Sequence, residues 1–233
     1  MMTNHTFAIT TKNLCKRFPI DANTYFYAIK DINLEIVKGE IILISGPNGS
    51  GKTTLLSMLG GMIKPTSGSI SLQNKVLTEM NSKELTINRR QKIGFIFQTF
   101  RLIDSLKVIE NIELVLNLNG IKRPDSLIRA KALLDELNIN TKYNFFPEVL
   151  SGGEKQRVAI ARAIANNPGI ILADEPTGSL DSKAGEESIN LLVKIARDNN
   201  KTVVIVSHDQ RINKFVDRVI KMEDGQLITE RGL

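Results

Sequence analysis

The chain has 233 residues, of which 42% are hydrophobic and 24% charged, a composition that excludes an intrinsically disordered protein and allows a sizeable core. Its formal net charge is +6, but Lys and Arg are scattered, tryptophan is absent and aromatic residues make up 5%, so a base-stacking surface is disfavoured and we expect no nucleic-acid partner. The single cysteine, Cys15, excludes an internal disulfide and fits a reducing compartment.

Nothing in the sequence has the pattern of a membrane span or an export signal. The longest apolar runs are strand-sized, far short of the roughly 20 residues that cross a bilayer. The first residues, Met1–Thr6, lack a basic stretch followed by an apolar one, so we expect no signal peptide. We therefore expect a cytoplasmic chain that reaches a membrane only through a partner.

In the first part of the chain, short β-branched runs alternate with helical patterns, which predicts an α/β fold with a mainly parallel core sheet. Two early strands precede the first glycine loop and are expected to form an antiparallel flank. The predicted elements are strands Phe7–Leu14, Tyr27–Ile36 and Ile41–Ser45, helix Thr53–Met62, and strands Ser69–Leu72 and Ile93–Phe97.

From Thr99 to about Asn167 the pattern becomes helical, with apolar residues at spacings of three and four. This block reads as a helical insert, after which the strand and helix rhythm resumes. The predicted elements are helices Val108–Leu118, Ser126–Leu137 and Lys155–Ala165, strand Ile170–Ala173, helix Ala184–Arg197, and strands Val203–Val206, Val216–Met222 and Gln226–Thr229.

A glycine loop between the third strand and the first helix has the context of a phosphate-binding loop. Its glycines let backbone N–H groups approach a triphosphate, and the helix start adds positive potential. Lys52 is expected to reach the β- and γ-phosphates, Thr53 to ligate Mg²⁺, and Thr54 to touch the α-phosphate. The loop consists of Gly46, Pro47, Asn48, Gly49, Ser50, Gly51, Lys52 and Thr53.

Two adjacent carboxylates follow the buried strand Ile170–Ala173, at the sheet edge where ligands of parallel sheets gather. Asp174 is expected to hold Mg²⁺. Because side chains alternate along a strand, Glu175 should point the other way and be free to polarise an attacking water. We therefore assign metal binding to Asp174 and water activation to Glu175.

Two further polar residues stand at strand ends. His208 follows Val203–Val206 and could donate a hydrogen bond to the γ-phosphate while holding Glu175 and the water in line. Gln98 follows Ile93–Phe97 and opens the helical insert. This position suits a switch that senses Mg²⁺ and the γ-phosphate at one end and contacts the insert at the other. A lone histidine or glutamine is usually structural, so these roles depend on the rest of the site.

A second glycine motif, Leu150-Ser151-Gly152-Gly153-Glu154, precedes the helix Lys155–Ala165. Serine is a good N-cap, so the motif alone reads as a plain cap and turn. It is also a second helix start suited to an anion. Because one triphosphate already has the first loop, the motif is best interpreted as a lid for the nucleotide of a second copy.

Taken together and in this order, the motifs resemble those of an ABC-type ATPase, the nucleotide-binding subunit of ATP-binding cassette transporters. The match runs from Phe18 to the last strand. It implies a P-loop NTPase with a mixed core sheet, an antiparallel β flank and an inserted helical subdomain. The implied division of the single domain 1–233 is a core of residues 1–98 and 168–233 and a helical subdomain of residues 99–167.

The resemblance also implies roles for individual residues. Two copies face head to tail, so the signature motif Ser151, Gly152, Gly153 and Glu154 acts on the nucleotide of the other copy, through Ser151 and Gly153. Asp181, in Ser179-Leu180-Asp181, links the two sites. Phe18 stacks on adenine, or less favourably Tyr25, and Mg²⁺ is held by Thr53, Gln98 and Asp174. The implied catalytic residues are Lys52, Gln98, Glu175 and His208.

The stretches Leu150–Ala163 and Ala173–Asp181 are similar to the lipoprotein-release and macrolide-efflux branch. This implies an integral membrane permease as partner, a place on the inner face of the cell membrane, and export or extraction of a lipoprotein, peptide or amphiphilic drug. Phe18 departs from the usual tyrosine, and Asp104 and Lys107 depart from the branch in the segment expected to meet the permease.

Three alternatives remain beside a transporter ATPase. A regulator of a membrane-bound cell-wall enzyme, as in the cell-division branch of the family, has the same motifs and moves no cargo. A soluble ABC ATPase acting on ribosomes or DNA usually carries two cassettes or a long coiled coil, and neither occurs here. A small-molecule P-loop kinase leaves Ser151–Glu154 and His208 without a purpose.

Overall fold

The computed structural model of the chain describes residues 6–232. The expected lack of a signal peptide concerns Met1–Thr6, of which all but Thr6 lie outside the described residues, as does residue 233 at the end of the predicted domain.

The described residues form strands and helices in an alternating order that matches the predicted α/β class. The strands are β1 Phe7–Pro19, β2 Tyr25–Val37, β3 Ile41–Ser45, β4 Ser67–Leu72, β5 Lys75–Val76, β6 Ile93–Ile96, β7 Ile170–Asp174, β8 Thr202–Ser207, β9 Arg218–Glu223 and β10 Gln226–Gly232. The α-helices are α1 Lys52–Leu59, α2 Ser82–Lys92, α3 Val108–Leu118, α4 Asp125–Glu136, α5 Gly152–Ile164 and α6 Ser182–Asp198. Short 3-10 helices are Leu77–Glu79, Asn140–Lys142, Pro147–Val149 and Gln210–Phe215.

The core is a six-stranded sheet in the order β10-β9-β3-β8-β7-β6. Its neighbours from β9 to β6 pair in parallel, and only β10 pairs antiparallel, with β9. The central strands β3, β7 and β8 are continuous aliphatic runs buried on both faces, as expected for parallel strands covered by helices. Because the strands run in parallel, the carboxyl ends of β3, β6, β7 and β8 meet at one edge.

A separate four-stranded antiparallel sheet has the order β2-β1-β4-β5 and forms the expected flank. Its two long strands extend beyond the predicted Phe7–Leu14 and Tyr27–Ile36. Their ends pair Phe18 with Phe26 and Pro19 with Tyr25. The residues at these ends are mostly exposed and carry no core pattern, which is why the sequence underestimates the length of the strands.

Alternating residues of the core strands serve two hydrophobic clusters. Leu43 on β3 and Ile171 on β7 pack in the cluster that contains the buried faces of α3, α4, α5 and α6. Ile42 and Leu172, one position away, pack in the cluster that contains α1 and the β flank. The helical segment thus covers one face of the sheet that presents the strand ends.

Several predicted bounds shift in the structure. Helix α1 ends at Leu59, before the Gly60-Gly61 turn, and β9 begins at Arg218 because Gln210–Phe215 forms a 3-10 helix. Helix α2 was not predicted.

Within the described residues, no helix combines the length and the apolar character needed to cross a membrane. The division into 1–98 with 168–233 and 99–167 stays a prediction.

Candidate active site

The glycine loop lies between the end of β3 and the start of α1. Gly49 and Gly51 have φ of 84° and 100°, in the left-handed region that side chains other than glycine rarely adopt. Gly46 passes so close to β9 that a Cβ there would lie 2.0 Å from the backbone oxygen of Met222. These glycines therefore fix the shape of the loop that leads into the helix start.

Lys52 is buried, with 6% of its surface exposed, and its ammonium lies inside the loop. Nζ donates hydrogen bonds to the carbonyls of Gly46 and Pro47, both at 2.8 Å. Burial lowers the pKa of Lys52, and the carboxylates of Glu175 and Asp174 oppose that shift. The loop thus presents a poorly solvated positive charge, which interacts strongly with a phosphate.

Thr53 and Asp174, two of the three expected metal ligands, touch directly. Thr53 Oγ1 donates to Asp174 Oδ1 at 3.0 Å. Burial raises the pKa of Asp174, Glu175 adds to the shift, and the hydrogen bond from Thr53 opposes it. Two side-chain oxygens therefore converge where the end of β7 meets the start of α1.

Glu175 is buried and its carboxylate has partners on both oxygens. Oε2 accepts a hydrogen bond from Ser207 Oγ at 2.7 Å. Oε1 accepts the backbone N–H of His208 at 3.2 Å and lies 2.9 Å from His208 Nδ1. Glu175 has a left-handed φ of 44°. The end of β8 therefore holds this carboxylate through Ser207 and His208, and its part in water activation stays a prediction.

Gln98 lies two residues beyond β6 and is exposed. Its backbone carbonyl accepts a hydrogen bond from Ser179 Oγ at 2.9 Å. A Cβ on Gly178 would lie 3.1 Å from Gln98 Nε2. The start of the helical segment is therefore in contact with the loop that leads to Asp181.

One cavity of about 510 Å³ brings most of the predicted site together. It is lined by Phe26, Ala28, Asn48, Gly49, Gly51, Lys52, Thr53, Thr54, Gln98, Glu175 and His208. Gly46 and Pro47 line a neighbouring cavity that also contains His208. Ser50 is buried beneath the loop, and Asp174 reaches the site through Thr53.

The aromatic residues near this cavity differ from the expectation. Phe26 lines it and is 53% exposed, although the sequence singled out Phe18 or Tyr25. Phe18 pairs with Phe26, so the two rings share a face of the β flank, and Lys16 Nζ lies 5.0 Å from the Phe18 ring. Tyr25, one residue from Phe26, is on the opposite face, under the Arg17 guanidinium. Because side chains alternate along a strand, Phe26 and Ala28 lie on the same face of β2, and both line the cavity. This alternation was the signal in the sequence that could have predicted Phe26.

The second glycine motif lies outside the cavity lining. Ser151 is the N-cap of α5, its Oγ accepts the N–H of Glu154, and Glu154 Oε2 accepts the N–H of Ser151, which together form a capping box. Ser151 is exposed, and Gly152 and Gly153 are half-buried against Leu180 and Ala184. The motif is therefore a well-formed helix cap that faces solvent.

Asp181 and Asp209 anchor two neighbouring helix starts. Asp181 is the N-cap of α6 and accepts the N–H groups of Lys183 and Ala184. Asp209 accepts a hydrogen bond from Thr177 Oγ1 at 3.1 Å, and the side chain of Arg211 holds the pKa of Asp209 below its usual value. The loop from Glu175 to Asp181 is thereby tied to the residue after His208.

A second cavity, about 250 Å³, lies between α2, β6, α3 and α5, and we call it the arginine cavity. Four arginines line it, Arg89, Arg90, Arg101 and Arg162, with no acidic residue among the lining side chains. Arg89 donates a hydrogen bond to the carbonyl of Gly61, and Arg90 to that of Leu118. Arg162 donates to the carbonyls of Phe100 and Arg101. Because lysine and arginine are scattered along the sequence, no sequence pattern predicts this cluster.

The comparisons with known proteins identify relatives of the chain. A model of the ABC transporter family matches residues 29–178. An uncharacterized ABC transporter ATP-binding protein of Methanocaldococcus jannaschii is 44% identical over 97% of each chain. The lipoprotein-releasing system ATP-binding protein LolD 1 of Chlorobium chlorochromatii is 41% identical over 88% of this chain and 84% of its own.

A solved structure gives the same result for the fold. An ATP-binding cassette in a dimeric, post-hydrolysis state bound to ADP and Pi aligns with a TM-score of 0.90 and 42% identity, over 97% of this chain and 98% of that one. The predicted fold class, with its mixed core sheet, antiparallel flank and inserted helices, is confirmed. The chain therefore belongs to the ABC transporter family, as one of its ATP-hydrolysing cassettes.

Proposed function

We propose that the chain binds Mg-ATP, closes on a second copy of itself and hydrolyses ATP to move a separate membrane subunit. The observation that carries the proposal is the composition of one cavity. The phosphate loop, Gln98, Glu175 and His208 line it, while Ser151–Glu154 does not. These groups suit a triphosphate and an activated water, and the excluded motif suits a lid for a second copy.

The ion that accompanies the nucleotide is Mg²⁺. Thr53 and Asp174 offer two converging oxygens, and Gln98 lies in the same lining. Within residues 6–232, no three or more His, Cys, Asp or Glu residues are grouped so that they could hold a metal ion. This fits Mg²⁺, which takes one or two carboxylates together with substrate phosphates. When bound, Mg²⁺ supplies positive charge to the β- and γ-phosphate oxygens.

The protein's own groups supply the remaining steps. Lys52 presents its buried ammonium to the phosphates, where charge is redistributed in the transition state. Glu175, held by Ser207 and His208, orients a water for in-line attack on the γ-phosphorus, and the bond to the leaving ADP breaks. The His208 ring, 60% exposed and anchored through Nδ1, has its other nitrogen available for the γ-phosphate.

A second copy completes each nucleotide site. The helix start at Ser151, Gly152 and Gly153 offers N–H groups and positive potential toward solvent. In a head-to-tail pair this helix start covers the γ-phosphate of the opposite copy, and Asp181 links the two sites. The dimeric state described for the ADP-bound cassette supports this arrangement.

The membrane subunit docks at the arginine cavity. This cavity lies next to Gln98, because Phe97 and Arg101 contribute to its lining. Its four guanidinium groups and its lack of a lining carboxylate favour an acidic cytoplasmic segment. Gln98 and the segment Phe100–Val108 then connect nucleotide binding to the motion of that segment.

We place the chain in the cytoplasm, on the inner face of the membrane through this partner. By its resemblance to the lipoprotein-release branch, and with a lipoprotein-releasing relative at 41% identity, we propose export or extraction of a lipoprotein, peptide or amphiphilic drug.

Two measurements test the proposal. Purified chain should release phosphate from ATP with Mg²⁺ and lose this activity when EDTA removes the ion. Affinity purification from native membranes should retain one integral membrane subunit, and charge reversal of Arg90 to Glu should weaken that retention without changing the ATPase of the isolated chain. An isolated chain and a retained complex that both lack Mg²⁺-dependent phosphate release would refute the proposed ATPase.

A further inference from the structure

We propose that Ser207 is a positioning residue that holds one oxygen of the Glu175 carboxylate and thereby fixes the direction of the other. The inference rests on the proposed ATPase function of the same site. Ser207 is the last residue of β8 and is fully buried. It lies outside the cavity lining, so it acts only through Glu175.

The contact between the two side chains is short and specific. Ser207 Oγ donates to Glu175 Oε2 at 2.7 Å. This is the usual distance for an O–H···O hydrogen bond, and a bond to a charged acceptor is about twice as strong as a bond between neutral groups. Oε1 is left to His208, which meets it with its N–H and with Nδ1. The two oxygens of Glu175 therefore have different partners.

The direction of the serine proton is fixed by the next loop. The N–H of Asp209 donates to Ser207 Oγ at 3.1 Å. The N–H of Asp209 thus occupies one lone pair of the Ser207 oxygen. The single hydroxyl proton of Ser207 is then directed to its other partner, the Glu175 carboxylate. Asp209 is itself held by Thr177 and Arg211. The donor that orients Glu175 is thus part of a chain of hydrogen bonds with a defined polarity.

Glu175 needs such a fixed point because its backbone leaves the regular strand geometry. Its φ of 44° is in the left-handed region, although its N–H still bonds to Val206 at 2.9 Å. The glutamate side chain has three rotatable bonds beyond that turn, and its terminal torsion is broad. Without Ser207 the carboxylate can rotate, and a misdirected base loses the alignment on which in-line attack depends.

The test is steady-state ATP hydrolysis by the purified full chain carrying Ser207→Ala. We expect kcat to fall about tenfold or more, the size of one hydrogen bond to a charged group. The KM for ATP should stay within about twofold, because Ser207 lies outside the cavity lining. A general loss of packing would change kcat and KM together and would lower the amount of folded protein.

Ser126→Ala is the matched control. Ser126 is also fully buried, and its Oγ lies 3.4 Å from the carboxylate of buried Glu113, between α3 and α4. Losing that hydroxyl should lower the melting temperature and leave kcat unchanged. If Ser207→Ala does not fold, Ser207→Cys keeps the volume but offers a weak donor, so its kcat should also fall with KM unchanged.

A folded Ser207→Ala or Ser207→Cys chain with wild-type kcat overturns the proposal, and so does a fall in kcat of equal size in Ser126→Ala. These outcomes are distinct from failure of the proposed function. In that case wild-type protein itself releases no phosphate, or Glu175→Gln leaves its rate unchanged.

Discussion

Thr53 Oγ1 donates a hydrogen bond to Asp174 Oδ1 at 3.0 Å, across 121 residues of sequence. The contact joins the first turn of α1 to the last residue of β7. Because the parallel sheet brings both to the same edge, the phosphate loop and the acidic strand end form one unit.

Replacing Asp174 with Asn should raise the melting temperature of nucleotide-free protein at neutral pH while abolishing Mg²⁺-dependent hydrolysis. Burial raises the pKa of Asp174, so the folded state binds its proton more tightly than the unfolded chain does. The ionised carboxylate therefore lowers the free energy of unfolding as pH rises toward and past that raised pKa. Asn keeps an oxygen for Thr53 without the charge.

Scanning fluorimetry across pH 4–8 checks this prediction. The melting temperature should rise by about 2–4 °C for each kcal/mol that the substitution adds to the free energy of unfolding. The gain should shrink at acid pH, where Asp174 is protonated in both states. A variant that is less stable than wild type at neutral pH would contradict the assignment of a costly buried charge.

Lys52→Ala should weaken ATP binding about 10- to 100-fold, the loss expected for charge-assisted hydrogen bonds to phosphate. Isothermal titration calorimetry with ATP measures the change. Lys131→Ala is the control, because Lys131 is an exposed lysine of α4 that lies beside Tyr143. This variant should bind ATP as wild type does. Equal affinity of wild type and Lys52→Ala would remove the ammonium from nucleotide binding.

Glu175→Gln should bind ATP and form an ATP-dependent dimer, because closure survives while water activation fails. Phosphate release should fall about 100-fold or more, the usual contribution of a positioned base. Light scattering on a sizing column should give twice the 25.9 kDa chain mass with ATP. With ADP in place of ATP the same column serves as the control. Turnover at the wild-type rate, or a variant that stays single when saturated with ATP, would count against the mechanism.

Mixing Ser151→Ala with Lys52→Ala should restore hydrolysis that neither variant has alone. In a mixed dimer, one site combines an intact Lys52 with an intact Ser151 from the opposite copy. Random pairing leaves about a quarter of the sites complete, which sets an upper limit for recovery. A mixture no more active than its components would weaken the assignment of Ser151 to the opposite site.

Phe26→Ala and Phe18→Ala should each weaken ATP binding, and Tyr25→Ala should not. Stacking of a base on an aromatic ring contributes about 1–3 kcal/mol, or about 5- to 150-fold in Kd. Phe26 and Phe18 share the face of the β flank that reaches the cavity, and Tyr25 is on the other. Titration of a fluorescent adenine nucleotide measures the three affinities. A larger loss for Tyr25 than for either phenylalanine would reverse the assignment.

The sequence predicts best the parts of the fold where one pattern is sufficient. The buried runs of β3, β7 and β8 are continuous and aliphatic, so their position at the core and the placement of the glycine loop, Asp174 and His208 at their ends follow directly. Helix α2 was missed because it buries only Leu85 and Asn88, too few residues for a helical pattern. Its amino end is instead defined by the Asn81 capping box.

The finer geometry of the site depends on contacts that no spacing reveals. Alternation predicts that Glu175 turns away from Asp174, but not that Ser207 and His208 hold its carboxylate, since that requires the registry of β7 on β8. Phe26 was missed because the pairing of the β1 and β2 ends places it, and their exposed residues carry no core signal.

The capping box at Ser151 has a consequence for closure of the dimer. Capping uses a lone pair of the serine oxygen, which accepts the N–H of Glu154, so the hydroxyl proton remains available to an outside acceptor. In the proposed head-to-tail pair, a phosphate arriving from the other copy takes that proton while α5 keeps its cap. Under that mechanism the signature helix engages and releases nucleotide in every cycle without fraying at its first turn.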